Sequence, residues 1–174
     1  MTDLAPRPEL LVRLNGLSND DARAAFLRCC GATSWSRSLV AARPFADDQA
    51  LDAAVATAFT ALTDDDWLEA FAHHPRIGDV SRLRERFAHS GDLSEKEQGV
   101  AMAAANEAII QRLFELNQSY EVRHGHIFIV CASGKSAAEM TALLEARIDL
   151  DPDAELVNCA AEQAKITALR LAAL

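Results

Sequence analysis

Helix-start signatures follow one another along this chain, and they constrain its fold more than any other feature. Ser18 opens "LSNDDARAAFLRCCG" as an N-cap with acids in the next turn, and Gly31 reads as its stop. In "DDQALDAAVATAFTAL", Leu51, Val55, Ala58, Phe59 and Leu62 fall at helical spacing. Thr63 begins a short helix, "TDDDWLEAFA", with Asp66 at its third position. Pro75 ends that helix, because the residue before a proline avoids helical geometry. His74 is therefore expected at the end of a helix or just beyond it. A long helix is expected from about Ser94 to Asn117. Ser136 and Glu139 form a capping box for "SAAEMTALLEARI", and Asp151 followed by Pro152 starts the last helix.

One run departs from the helical pattern. "HIFIVCA", His126 to Ala132, is short, apolar and rich in β-branched residues, so a strand and an extended connector both fit it. The expectation is a single all-α domain over residues 1–174, a bundle of about eight helices with one short extended segment. Abundant alanine and only 7 glycines suit helices packed closely through small side chains.

Charge and composition exclude several functions. A net charge of −9 argues against nonspecific binding to nucleic acid or to an anionic membrane. No stretch approaches the ~18 apolar residues of a membrane span, and "MTDLAPRPELLVRL" lacks the apolar run of a signal peptide. The expected location is the cytoplasm. Cys29, Cys30, Cys131 and Cys159 form no C-x-x-C pair and read as buried thiols in a reducing compartment. "GKS" at Gly134–Ser136 looks like the end of a phosphate-binding loop, but Ile129 stands where that motif needs a glycine. The five histidines show no metal-ligand spacing, so no metal is expected. "RLRERF", Arg82 to Phe87, reads as a solvated helix face.

Some polar residues sit where the pattern calls for apolar ones. Met140, Leu143 and Leu144 mark a helical stripe that Arg147 continues at i+7. Arg147 either snorkels at the helix end or points inward and pairs with a carboxylate or carbonyl. Ser94 and Glu97 fit a capping box, yet Gln98 heads an inward stripe with Met102, Ala105 and Ile109. Two adjacent polar residues thus border packed surface at a helix N-terminus, where free N–H groups attract anions. His74 followed by Pro75 gives a titratable group with a restricted backbone.

Taken in order, "HPRIG", "SEKEQ", "GHIFIVCASGKS", Arg147 and "AAEQAKITALRL" resemble the OHCU decarboxylase family. OHCU is 2-oxo-4-hydroxy-4-carboxy-5-ureidoimidazoline, an intermediate of urate breakdown. The resemblance covers most of the chain, most strongly from Phe71 to Leu171. It implies an all-α, usually dimeric enzyme without metal or organic cofactor that converts OHCU to (S)-allantoin. Carried over by position, it implies His74 as acid/base, assisted by Glu97. It implies substrate contacts from Pro75, Ser94, Gln98, Arg147 and the run His126, Ile127, Phe128, Ile129 and Val130. Two positions depart from the family pattern: Leu93 and His124 stand where relatives often carry aromatics. They bear on pocket shape, not on reaction type.

The chemistry suits these residues. Decarboxylation leaves an electron pair that the conjugated C=N and carbonyl system of OHCU can accept, so the protein needs only to orient the carboxylate, offset charge and deliver a proton. An imidazole of ordinary pKa ~6.5 exchanges protons near neutrality. A binding module that recognises a purine-like metabolite without turnover is the competing reading, and a purely structural helical domain a third.

Overall fold

The computed structural model describes residues 7–76, 80–88 and 100–174; the side chains of residues 86, 88 and 100–105 lie outside that description. Ser94, Glu97 and Gln98, with Leu93 and the expected start of the long helix, fall outside the described residues. The described residues form nine helices and no strand: α1 (Pro8–Gly16), α2 (Asn19–Cys29), α3 (Thr33–Ala41), α4 (Asp48–Thr60), α5 (Asp64–Ala72), α6 (Val80–Ala88), α7 (Val100–His124), α8 (Ala137–Arg147) and α9 (Pro152–Ala172). The fold class is all-α, as expected. His126 to Ala132 is a connector and not a strand.

Two compact units make up the chain. The first runs to His73 and includes Ala160–Leu174; the second is His74–Cys159. In the first, α3 packs on α2, α4 and α5. Few aromatics are present, but they are arranged in a series. Phe26 meets Trp35 edge-on at 6.1 Å, Trp35 stacks on Phe59 at 5.4 Å, and Phe59 stacks on Trp67 at 5.5 Å. Each such pair contributes roughly 0.5–1.5 kcal/mol beyond its buried area. The caps read from sequence form: Ser18 accepts from the Asp21 N–H, and Thr63 and Asp66 make a reciprocal capping box.

In the second unit, α7 packs on α6 and α8. Leu83 and Phe87 of α6 are buried, so "RLRERF" is solvated on one side only. Its Arg84 pairs with Glu107 of α7. α7 runs past Asn117, where the sequence suggested an end, to His124. The polar run there misleads: Gln118 and Ser119 are exposed, while Leu113, Leu116 and Tyr120 continue a buried stripe. Gly125 ends the helix in left-handed geometry, φ 74°, with its N–H donating to the Glu121 carbonyl at 2.9 Å. Of the four cysteines, Cys29, Cys30 and Cys159 are buried as expected, whereas Cys131 is half-buried. It belongs to the connector, where one side of the chain remains open.

Candidate active site

His74 lies just past the end of α5. His73 is the C-cap of that helix, and His74 and Pro75 follow outside it. Asp66 and Glu69 of α5 and its C-cap His73, at helical spacing, hold that helix against residues 31–34. Ser34 donates its hydroxyl to Asp66 at 2.6 Å. Thr33 donates its main-chain N–H and hydroxyl to Glu69 at 2.9 and 2.6 Å. His73 packs against Gly31 so closely that a methyl group on Gly31 would fall 2.5 Å from the His73 Cβ.

Gly31 is thus not the helix stop the sequence suggested. α2 ends at Cys29 with an extended Cys30, and Gly31 is needed for the close approach of His73. Gly31→Ala is expected to cost about 1–3 kcal/mol by overpacking, read as a lowered Tm, because the clash is with a Cβ that cannot swing away.

All of the candidate site's described residues, His74 included, belong to the second unit. His74 is half-buried and Pro75 exposed. Arg76 pairs with Glu121 of α7 at 2.8 Å, though at 76 % exposure this ion pair stabilises little. The connector 126–130 lies against α7 and α8. Tyr120 is its hub: its ring centroid is 5.1 Å from Phe128, 5.7 Å from His126 and 4.4 Å from His124. His124, where relatives often carry an aromatic, thereby presents an aromatic face. Its Nε2 faces the Ile148 carbonyl at 2.9 Å and so carries the proton. His126 donates Nδ1–H to the Ile127 carbonyl at 3.0 Å, and burial, aided by His124 and Arg147, holds it below the usual imidazole range. His126 is therefore neutral near pH 7.

Arg147 does not snorkel. It is only 12 % exposed, and its partner is Glu155, which is 0 % exposed in the first turns of α9. Nε donates to both Glu155 oxygens at 2.9 and 3.1 Å, and Nη2 donates to Oε1 at 2.6 Å. Nη2 also reaches the Cys159 sulfur at 3.2 Å, and Nη1 donates to the Ile129 carbonyl at 3.1 Å. The guanidinium sits 4.7 Å over the Phe128 ring. Tyr120 donates its hydroxyl to Glu155 Oε1 at 2.5 Å, and Asn158 donates to Oε2 at 3.1 Å.

Burial alone would raise the Glu155 carboxyl, but hydrogen bonds from Arg147, Tyr120 and Asn158 and the guanidinium charge outweigh it, so its pKa lies below the usual carboxylate range. Burial pushes the Tyr120 hydroxyl well above its ordinary range, so it stays a donor.

Arg147, Phe128 and Ile129 are thus brought together, with His126 joined to them through Tyr120. Glu155 and Tyr120 were not foreseen from the sequence. Ile129 is itself buried, and its carbonyl is taken by Arg147. The "GKS" turn has Gly134 in left-handed geometry, Lys135 folded back on the Cys131 carbonyl at 2.7 Å, and a helix start already capped by Ser136 and Glu139. It is a helix entry, not a phosphate cradle.

The chain is all-helical among its described residues, with a histidine–proline pair just past α5 and an inward arginine held against an apolar connector. It belongs to the OHCU decarboxylase family, whose model, described as OHCU decarboxylase, matches residues 15–172. Among curated relatives, the chain is 37 % identical over 148 residues to the uric acid degradation bifunctional protein TTL of Arabidopsis thaliana, covering 84 % of this chain and 45 % of that protein. It thus spans about half the length of that relative. It is 24 % identical over 164 residues to the 2-oxo-4-hydroxy-4-carboxy-5-ureidoimidazoline decarboxylase of Haloferax volcanii, covering 93 % of this chain and 94 % of that one. A crystal structure of OHCU decarboxylase in the presence of (S)-allantoin matches with a TM-score of 0.64 and 30 % identity, covering 90 % of this chain and 96 % of that one. A crystal structure of (S)-allantoin synthase matches in fold, with a TM-score of 0.66 at 17 % identity over 94 % of this chain and 53 % of that one.

Proposed function

We propose that this chain decarboxylates OHCU to (S)-allantoin in urate breakdown, as a single domain and without a cofactor. The observation that carries the reading is Arg147: within a chain matched to the family over residues 15–172, it is drawn inward beside the connector that family resemblance assigns to the pocket. In this reading His74 moves the proton, taking it from the substrate hydroxyl or giving it to the carbanion. Glu97 hydrogen-bonds the ureido or ring N–H groups. Ser94, Gln98 and main-chain groups of 126–130 read the ring edges, and Arg147 offsets charge on a substrate oxygen. Cytoplasmic location and a homodimer belong to the same proposal. Among the described residues no helix is long and apolar enough to cross a membrane.

The test is direct. OHCU generated freshly from urate is mixed with the protein while its optical signal and the chirality of the allantoin are followed. Accelerated loss with (S)-allantoin as product supports the proposal. A racemic product at the uncatalysed rate would instead favour the binding module. Chelator treatment is expected to leave the rate unchanged, because the electron sink is in the substrate; activity lost to EDTA and restored by a divalent ion contradicts this mechanism.

A further inference from the structure

We infer that Glu155 is a positioning residue for the decarboxylation: from a fully buried site it sets the Arg147 guanidinium in one orientation, holds the main chain at Ile129 through it, and leaves only the Nη1 end of Arg147 to meet substrate. This inference rests on the reading of Arg147 as a substrate contact.

The geometry leads there by counting donors. A guanidinium has five N–H groups. Nε and Nη2 spend three on Glu155 and Cys159, and Nη1 spends one on the Ile129 carbonyl. Among the described residues the fifth, on Nη1, has no acceptor. The forked edge of Arg147, which would otherwise clamp a carboxylate, is committed to the protein. A substrate oxygen therefore receives a single N–H from a fixed direction.

Glu155 does more than neutralise a charge. Neutralisation needs one contact, whereas its two oxygens are each fixed from a second side, Oε1 by the Tyr120 hydroxyl and Oε2 by the Asn158 amide. The carboxylate cannot turn, so the guanidinium bound to it cannot either. The Phe128 ring closes one face of the guanidinium. Ile129 is held twice, its carbonyl by Arg147 and its main chain by a hydrogen bond to the Cys159 sulfur. The connector and the arginine are thus set by one buried cluster. Stability alone explains this poorly, since buried ion pairs are often replaceable by apolar groups at no cost.

The experiment is a double-mutant cycle on kcat/KM with freshly made OHCU, using Glu155→Gln, Arg147→Lys and the pair, each normalised to folded protein by circular dichroism. Glu155→Gln is expected to lower kcat/KM by about tenfold or more, and the double variant to be no worse than Arg147→Lys alone. A merely structural Glu155 would change Tm and leave the rate per folded molecule alone. Kinetics of Glu155→Gln within about twofold of wild type beside an impaired Arg147→Lys, or losses that multiply in the double variant, overturn the inference by itself. A wild-type chain without turnover, or an Arg147→Lys variant with wild-type kinetics, overturns the reading of the site and this inference with it. Should Glu155→Gln fail to fold, Tyr120→Phe takes its place in the cycle. It keeps the ring contacts and removes only the bond to Oε1; non-multiplying losses support the inference and multiplying ones overturn it.

Discussion

His74→Asn is expected to lower kcat/KM by ~10²–10⁴-fold, the usual contribution of a general acid/base, with the helical circular dichroism unchanged. His73→Asn is expected to leave the rate near wild type and to act on Tm instead. The two histidines are chemically identical, and position separates them. His73 is the C-cap of α5, exposed, with its Cβ and ring lodged against Gly31. Its N–H is spent on the Ala70 carbonyl. Its work is packing, and asparagine loses that packing without touching any reacting atom. His74 comes one residue later, half-buried, with Pro75 restricting the backbone beside it. The contacts of Asp66, Glu69 and His73 with residues 31–34 fix where α5 ends, and so which residue follows it. Asparagine keeps the size and a hydrogen-bonding tip but cannot exchange a proton at neutral pH. An active His74→Asn enzyme beside a folded, inactive His73→Asn enzyme would reverse the assignment.

The helices were legible because their termini are written in local chemistry. Ser18, Thr63, Ser136 and Asp151 each cap the helix their sequence context predicts. α3 was missed for the same reason: its cap residue is Ala32, which offers no side-chain acceptor, and Glu69 from another helix meets its first N–H group. A local reading cannot find a cap supplied 36 residues away.

Arg147 was legible as an anomaly on an apolar stripe, but its partner was not. Glu155 stands in the first turns of a helix, where an acid is ordinary. The signal that would have found it is the spacing 155, 159, 163, 167 and 171: Glu155, Cys159, Gln163, Thr167 and Leu171 recur every fourth residue and all are buried. Such a stripe, polar at three of its positions, calls for a buried partner for its one charge. A lysine at 147 is expected to lower stability as well, because an ammonium cannot reproduce the two-oxygen contact with Glu155.

Arg147→Met is expected to be the most destabilising substitution in this cluster, by about 3–5 kcal/mol near neutral pH, because it leaves a buried carboxylate without its counter-charge. The pH dependence gives the test its sign. In the wild type the Glu155 carboxyl lies below its unfolded value, so its contribution is present above the unfolded pKa of ~4.3 and is lost as pH falls through the folded pKa. Without Arg147 the burial that opposes ionisation prevails, and the carboxyl moves above its unfolded value. Protonation then favours the folded form. The variant therefore regains stability as pH falls from 7 toward 5, over a range where the wild-type Glu155 contribution is still constant. Denaturant unfolding of both proteins at several pH values measures the gap. It should be largest at neutral pH and narrow on acidification. The Tyr120 hydroxyl, which remains a donor to Oε1, can bond the protonated carboxyl as well as the ionised one, so the acid form loses no partner there. A gap that stays constant or widens between pH 7 and pH 5 would mean that Glu155 is not the group left unpaired, and that the loss comes from the packing of residue 147 on Phe128.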